Sequence, residues 1–159
     1  MKGKHIPIIL FLFLTMILGF AVIVYGFFIP VLADQYAYAS PELSHIKTIV
    51  LTFVELTGLP VLGIIVLGYA IGLRIMKFEH FTRKTATYMR YIYILALGDA
   101  TYFSIGMFVM TMNGFIDAPV VIGSGTAIIF ALAVAGASYA LSYFIYEAAQ
   151  LQEESELTI

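Results

Sequence analysis

Residues 8–29 read IILFLFLTMILGFAVIVYGFFI, an unbroken apolar run with no charged residue, bounded by Pro7 and Pro30. About 20 mostly apolar residues cross a hydrocarbon core about 30 Å thick, so this run predicts a membrane span. Three further stretches meet the same rule. The second covers about 46–75 and is interrupted by Gly58, Pro60, Gly63, Gly68 and Gly72; the third covers 91–112. The fourth covers 119–146, where Pro119 suits a first helical turn and Asp117 just ahead suits the positive end of a helix dipole. The expected fold is all-α: a polytopic transmembrane four-helix bundle forming one membrane domain over 1–159.

Composition supports this reading. Of 159 residues, 62% are hydrophobic and 11% charged, too few charges to coat a soluble globule, where roughly a quarter is usual. A net charge of −2 gives direct nucleic-acid binding no electrostatic support. The chain has no cysteine, which excludes disulfide scaffolds, thiolate metal centres and cysteine-based redox chemistry. The lipid bilayer is the expected solvent.

Lys and Arg flanking spans stay in the cytoplasm. Lys2 and Lys4 precede the first span, and Arg74, Lys77, Arg83, Lys84 and Arg90 separate the second from the third, against Lys47 alone on the other side. Both termini are therefore expected in the cytoplasm. Tyr36 and Tyr38 on one side, and Tyr88, Tyr91, Tyr143 and Tyr146 on the other, fit interfacial aromatic belts. A cleavable signal ending at Val31-Leu32-Ala33 is the competing reading of the N-terminus, but the apolar run exceeds the roughly 7 to 15 residues of a signal core. Residues 30–45 read as an outer loop, and 113–118 as a tight connection that makes spans three and four an antiparallel hairpin.

Two acids fall inside spans, each at a cost of at least about 2.5 kcal/mol at mid-membrane. They are Glu55 and Asp99. Counted at about 1.5 Å per residue, Glu55 stands about 27 Å above Leu73 and Asp99 about 12 Å above Tyr91, so a shared carboxylate pair is not expected. Glu55 precedes Gly58-Leu59-Pro60, a sequence that can kink a helix beside a small polar cavity. Asp99 has Tyr102 at i+3, Gly106 at i+7 and Asn113 at i+14, a polar and small stripe expected to face inward. A proton or cation site with a tyrosine partner is one reading of Asp99; a packing hydrogen bond between helices is the plainer one. For Glu55 the plainer reading is a protonated or hydrogen-bonded side chain at a partly wet level.

Gly68-x-x-x-Gly72, and Gly123, Ala127, Ala131 and Ala135 at every fourth position, let helix backbones approach closely. Packing within the chain explains them, with homo-oligomerisation as the alternative. His5, His45 and His80 stand apart with no metal-ligand spacing, and neither a Gly-x-Ser-x-Gly nor a phosphate loop is present, so no metal, no cofactor and no enzymatic activity are expected.

The inner face carries opposite charges. Arg74, Lys77, Arg83, Lys84 and Arg90 form a basic loop, while Glu147, Glu153, Glu154 and Glu156 make 147–159 an acidic tail. The loop against anionic head groups with a solvated tail is one reading. A docking surface for a cytoplasmic protein is the other. The tail shows no amphipathic pattern of its own, because Ser155 stands where Leu151 needs an apolar i+4 neighbour.

The ending Gln152-Glu153-Glu154-Ser155-Glu156-Leu157-Thr158-Ile159 resembles the acidic terminus of small bacterial membrane proteins of the domain of unknown function 2975 family. Leu59-Pro60 and Tyr69 in the second span, then Phe81-Thr82 and a basic run into Tyr88-Met89-Arg90, are also similar to that family's pattern, although the Asn-Lys that usually precedes its Phe-Ser is missing. The resemblance covers nearly the whole chain. It implies four spans and, frequently, a neighbouring gene for a small helix-turn-helix regulator, with no established catalytic residue. The resulting expectation is a non-enzymatic membrane protein that docks or restrains such a transcription regulator. Alternatives are a small proton- or cation-coupled transporter using the buried acids, and an immunity protein against a membrane-active peptide.

Overall fold

A computed structural model describes residues 5–77 and 81–157, and among these the chain is helical with short turns and no strand. Four helical stretches are long and apolar enough to cross a bilayer, at Ile8–Ala39, Pro41–Met76, Arg83–Met112 and Ala118–Ser155. The protein is a multi-pass membrane protein whose helices contact lipid.

The first stretch is α1 (His5–Ile23), a π-helical turn (Val24–Phe28) and α2 (Ile29–Ala39). Pro30 does not end it, contrary to the expected boundary at 29. A proline ring clashes with the carbonyl four residues back, here that of Gly26, and offers no N–H to it. The π turn admits one extra residue at that point, with the Ile29 N–H bonding the Val24 carbonyl, and the helix passes through. The expected loop 30–45 is accordingly helical, as α2 and a 3-10 segment (Pro41–Ile46).

The second stretch is α3 (Lys47–Leu56) and α4 (Gly58–Met76), broken at Thr57 as Gly58-Leu59-Pro60 predicts. Pro60 leaves the Leu56 carbonyl without its α-helical donor. The break is tightened by the Thr57 hydroxyl donating to the Val54 carbonyl at 2.7 Å.

Helix α5 (Arg83–Met112) starts two turns before the apolar span because Thr82 caps it, its hydroxyl accepting the Thr85 N–H at 3.3 Å. It ends on Gly114, whose φ of 69° places it in the left-handed region. The Phe115 N–H reaches the Met110 carbonyl and the Gly114 N–H that of Thr111, each at 3.0 Å, which turns the chain directly into α6 (Ala118–Leu157). With 40 residues α6 is about 60 Å long, twice the hydrocarbon thickness, so most of the acidic tail continues the fourth span as helix.

The spans pack in chain order: α1 on α4, α4 on α5, and α5 on α6, the last pair sharing the largest interface. Few large side chains are buried. The seams rest on small ones, with Ala96 and Ala100 on α5 and Ala135 on α6 each 2% exposed. Gly68 and Gly72 pack α4 on α1: a β-carbon at 68 would meet the Leu14 side chain at 2.9 Å, and one at 72 would meet Phe11 at 3.2 Å. The α6 seam differs from the four-residue stripe read from sequence. Gly123 and Ala127 are exposed, and the inward face is Ser124, Ala131, Ala135, Ser138, Ser142 and Ala149. Steps of four drift around a 3.6-residue helix, whereas alternating steps of three and four hold one face.

Alternating direction brings the described start of α1, the end of α4, the start of α5 and the end of α6 to one end, called here the basic end. Lys2 and Lys4 lie outside the described residues.

Candidate functional site

At mid-length, where the π turn and the Thr57 break interrupt two neighbouring helices, two polar side chains meet and a carboxyl group stands near them. The Tyr25 and Thr57 hydroxyls are 2.8 Å apart. Gly58 makes room for the Tyr25 ring, since a β-carbon there would lie 3.2 Å from Cδ1. From α5, Asp99 is within electrostatic reach of Tyr25. Its Oδ1 is buried without a hydrogen-bond partner among the described residues. A buried carboxylate oxygen in that state is costly in a low-dielectric layer.

Contacts along α3, α4 and α5 fix the level of this cluster. Phe53 lies against Tyr102 and Phe103, with ring centroids 4.9 and 5.7 Å apart. Further down, Gly63 faces the Leu95 side chain. That register sets Thr57 beside Asp99 and leaves Glu55 less than one helical turn from Asp99 along the axis. The wide vertical separation expected for the two acids does not hold, because α5 begins at Arg83 and Tyr91 is no marker of its end. They still form no pair: Glu55 is exposed on the outward face shared with Leu59 and Val66, while Asp99 turns inward.

Tyr102, expected as the phenol partner of Asp99, instead points its hydroxyl at the Phe53 carbonyl, 3.4 Å away. Tyr25 is the phenol nearer to Asp99 in electrostatic terms, but its hydroxyl pairs with Thr57 and does not bond the carboxylate. Tyr25 and Thr57 carry no charge to mark them in the sequence; their signal is adjacency to a helix breaker, Gly26 with Pro30 and Gly58 with Pro60.

The basic end holds the second group of candidates. Arg83 makes a two-pronged contact with Glu153, Nη2 to Oε2 at 2.7 Å and Nε to Oε1 at 3.1 Å. The Arg83 guanidinium also lies over the Tyr146 ring at 5.7 Å. Such fork-to-carboxylate geometry fixes orientation as well as distance. The extended end of α6 is thus held against the start of α5, where Ser142 also donates to the Ala86 carbonyl at 2.9 Å. Arg74 lies over Tyr88 at 5.9 Å and directs Nη2 towards the Thr82 hydroxyl at 3.5 Å. Lys77, Lys84, Arg90 and Glu154 are exposed on the same end. The Glu156 side chain lies outside the described residues.

The opposite end carries the Lys47–Asp34 ion pair and a hydrogen bond from the Tyr36 hydroxyl to Asp117 at 3.0 Å.

The sequence model of a family described as "Protein of unknown function (DUF2975)" matches residues 31–159. No curated protein and no solved structure matches the chain.

Proposed function

Because the chain belongs to the DUF2975 family, whose description names no activity, we propose from the geometry that it is a non-enzymatic membrane platform for a cytoplasmic protein. The observation that carries this reading is the Arg83–Glu153 clamp. It holds several turns of α6 beyond the hydrocarbon as an ordered surface beside exposed Lys77, Lys84 and Arg90. The excess of Lys and Arg at this end supports its placement on the cytoplasmic side of the membrane. The partner is a small helix-turn-helix regulator that meets a surface carrying both charge signs, which favours orientation and encounter rate over raw affinity. Affinity capture of the regulator by detergent-solubilised protein tests this. Reversing Lys84 and Arg90 to Glu is expected to lower recovery about tenfold or more at low salt. Unchanged recovery would refute the docking role.

The orphaned Asp99 oxygen supports a second reading, a small proton- or cation-coupled transporter. In that case Asp99→Asn abolishes flux in proteoliposomes while the purified protein keeps its helix content. Normal flux in Asp99→Asn removes Asp99 from any such pathway.

A further inference from the structure

At the end opposite the basic loop, α2, α3 and the α5–α6 turn line a half-open cavity of about 280 Å³. Its walls are almost wholly apolar, with Leu32, Ala33 and Ala37 from α2, Val50 and Val54 from α3, and Phe115 from the α5–α6 turn. It extends about 10 Å along α3, from Lys47 down to Val54, one turn from Thr57. Apolar cavities of this size accept apolar ligands and gain nothing from water.

A polar hollow adjoins it, lined by Ser40, Pro41, Glu42 and Gly114, and Leu43 lines both. Of the charged residues that line the pair, Lys47 is neutralised by Asp34, which leaves Glu42 in the hollow as the carboxylate without a counter-ion in the lining. An apolar chamber beside a polar hollow that carries Glu42 matches a single alkyl chain with a cationic head.

We propose that this pair of cavities binds a cationic amphiphile, its chain between α2 and α3 and its ammonium group beside Glu42. The site is built by α2, α3, the 3-10 segment and the α5–α6 turn, and does not depend on docking at the basic end. Chain burial supplies the affinity and Glu42 the preference for positive charge.

The test uses protein in phosphatidylcholine nanodiscs and dodecyltrimethylammonium bearing a photoreactive diazirine in its tail, with a dodecyl sulfate of the same tail as counterpart. Adducts are expected within 29–37, 43–54 and 115–120, about fivefold more from the ammonium probe than from the sulfate. Glu42→Gln brings that ratio close to one. Ala33→Phe with Ala37→Phe fills the chamber and lowers adduct yield about fivefold. Should that double variant fail to fold, excess unlabelled dodecyltrimethylammonium displaces the probe from the unaltered protein to the same extent. Equal labelling by both probes, or adducts spread over outward positions such as Phe20, Phe108 and Phe130 with no competition, would overturn the proposal.

Discussion

Gly106→Val is expected to destabilise the protein by about 3 kcal/mol, the upper range for forced overpacking. A β-carbon at 106 would fall inside the Phe53 ring, which lies against the α5 backbone at that point. Phe53 cannot move aside cheaply, because its ring packs against those of Tyr102 and Phe103. Valine is also fixed in its χ1 rotamer on a helix, so it has no alternative direction. Thermal unfolding in detergent micelles measures the loss. The pair should be strongly non-additive: once Phe53→Ala has removed the ring, Gly106→Val adds little, since the clash has no second party. Additive losses would place the close approach elsewhere. The predicted damage is to the α3–α5 contact directly above the Tyr25, Thr57 and Asp99 cluster, so the same variant should disturb that cluster while leaving the α5–α6 seam in place.

The second large effect is expected from Ala149→Pro. Ala149 is 3% exposed, one turn before Glu153 on the α6 face that meets α5. Proline there removes the bond to the Ile145 carbonyl and collides with it, a cost of about 3 kcal/mol or more in a helix interior. The loss is local, because the span itself is held by the seam from Ser124 to Ser142. Amides from 150 to 157 should lose their hydrogen-exchange protection while those of 120–140 keep theirs, and regulator recovery should fall with the first group. Ala149→Gly, with no ring and a penalty near 1 kcal/mol, should retain most of both. Full protection in the proline variant would show that the α6 extension is not held by its helical bonding and the Arg83 contact.

The span count, the hairpin of the last two helices and the packing role of Gly68 and Gly72 are legible in the sequence. Each rests on a bulk property, either apolar length or the absence of a side chain. What the sequence conceals depends on register between helices. Asp99 stands out by its charge alone, but its neighbours Tyr25 and Thr57 come from 74 and 42 positions away, brought level by contacts such as Phe53 with Tyr102. Pro30 illustrates a different loss. A proline reads as a helix end, and only the compensating π turn shows that α1 continues into α2. The tail illustrates a third: judged for amphipathicity alone it has no face, yet it is helical because it extends an existing span, which needs no new nucleus. Arg83 and Glu153 were both legible as charges of opposite sign at one end, while their pairing with each other emerges from that continuation of α6.

The proposed function requires the basic end to be a cytoplasmic surface which a soluble regulator occupies. A natural chain without cysteine makes this directly measurable, because single cysteines report one position at a time. Lys84→Cys, Arg90→Cys and Glu42→Cys, each carrying a photoreactive maleimide adduct in membranes mixed with purified regulator, separate the two ends. Regulator adducts are expected from positions 84 and 90 and none from 42. Adducts from 42, or none from either basic-end position while the regulator is present and folded, would contradict the proposed function.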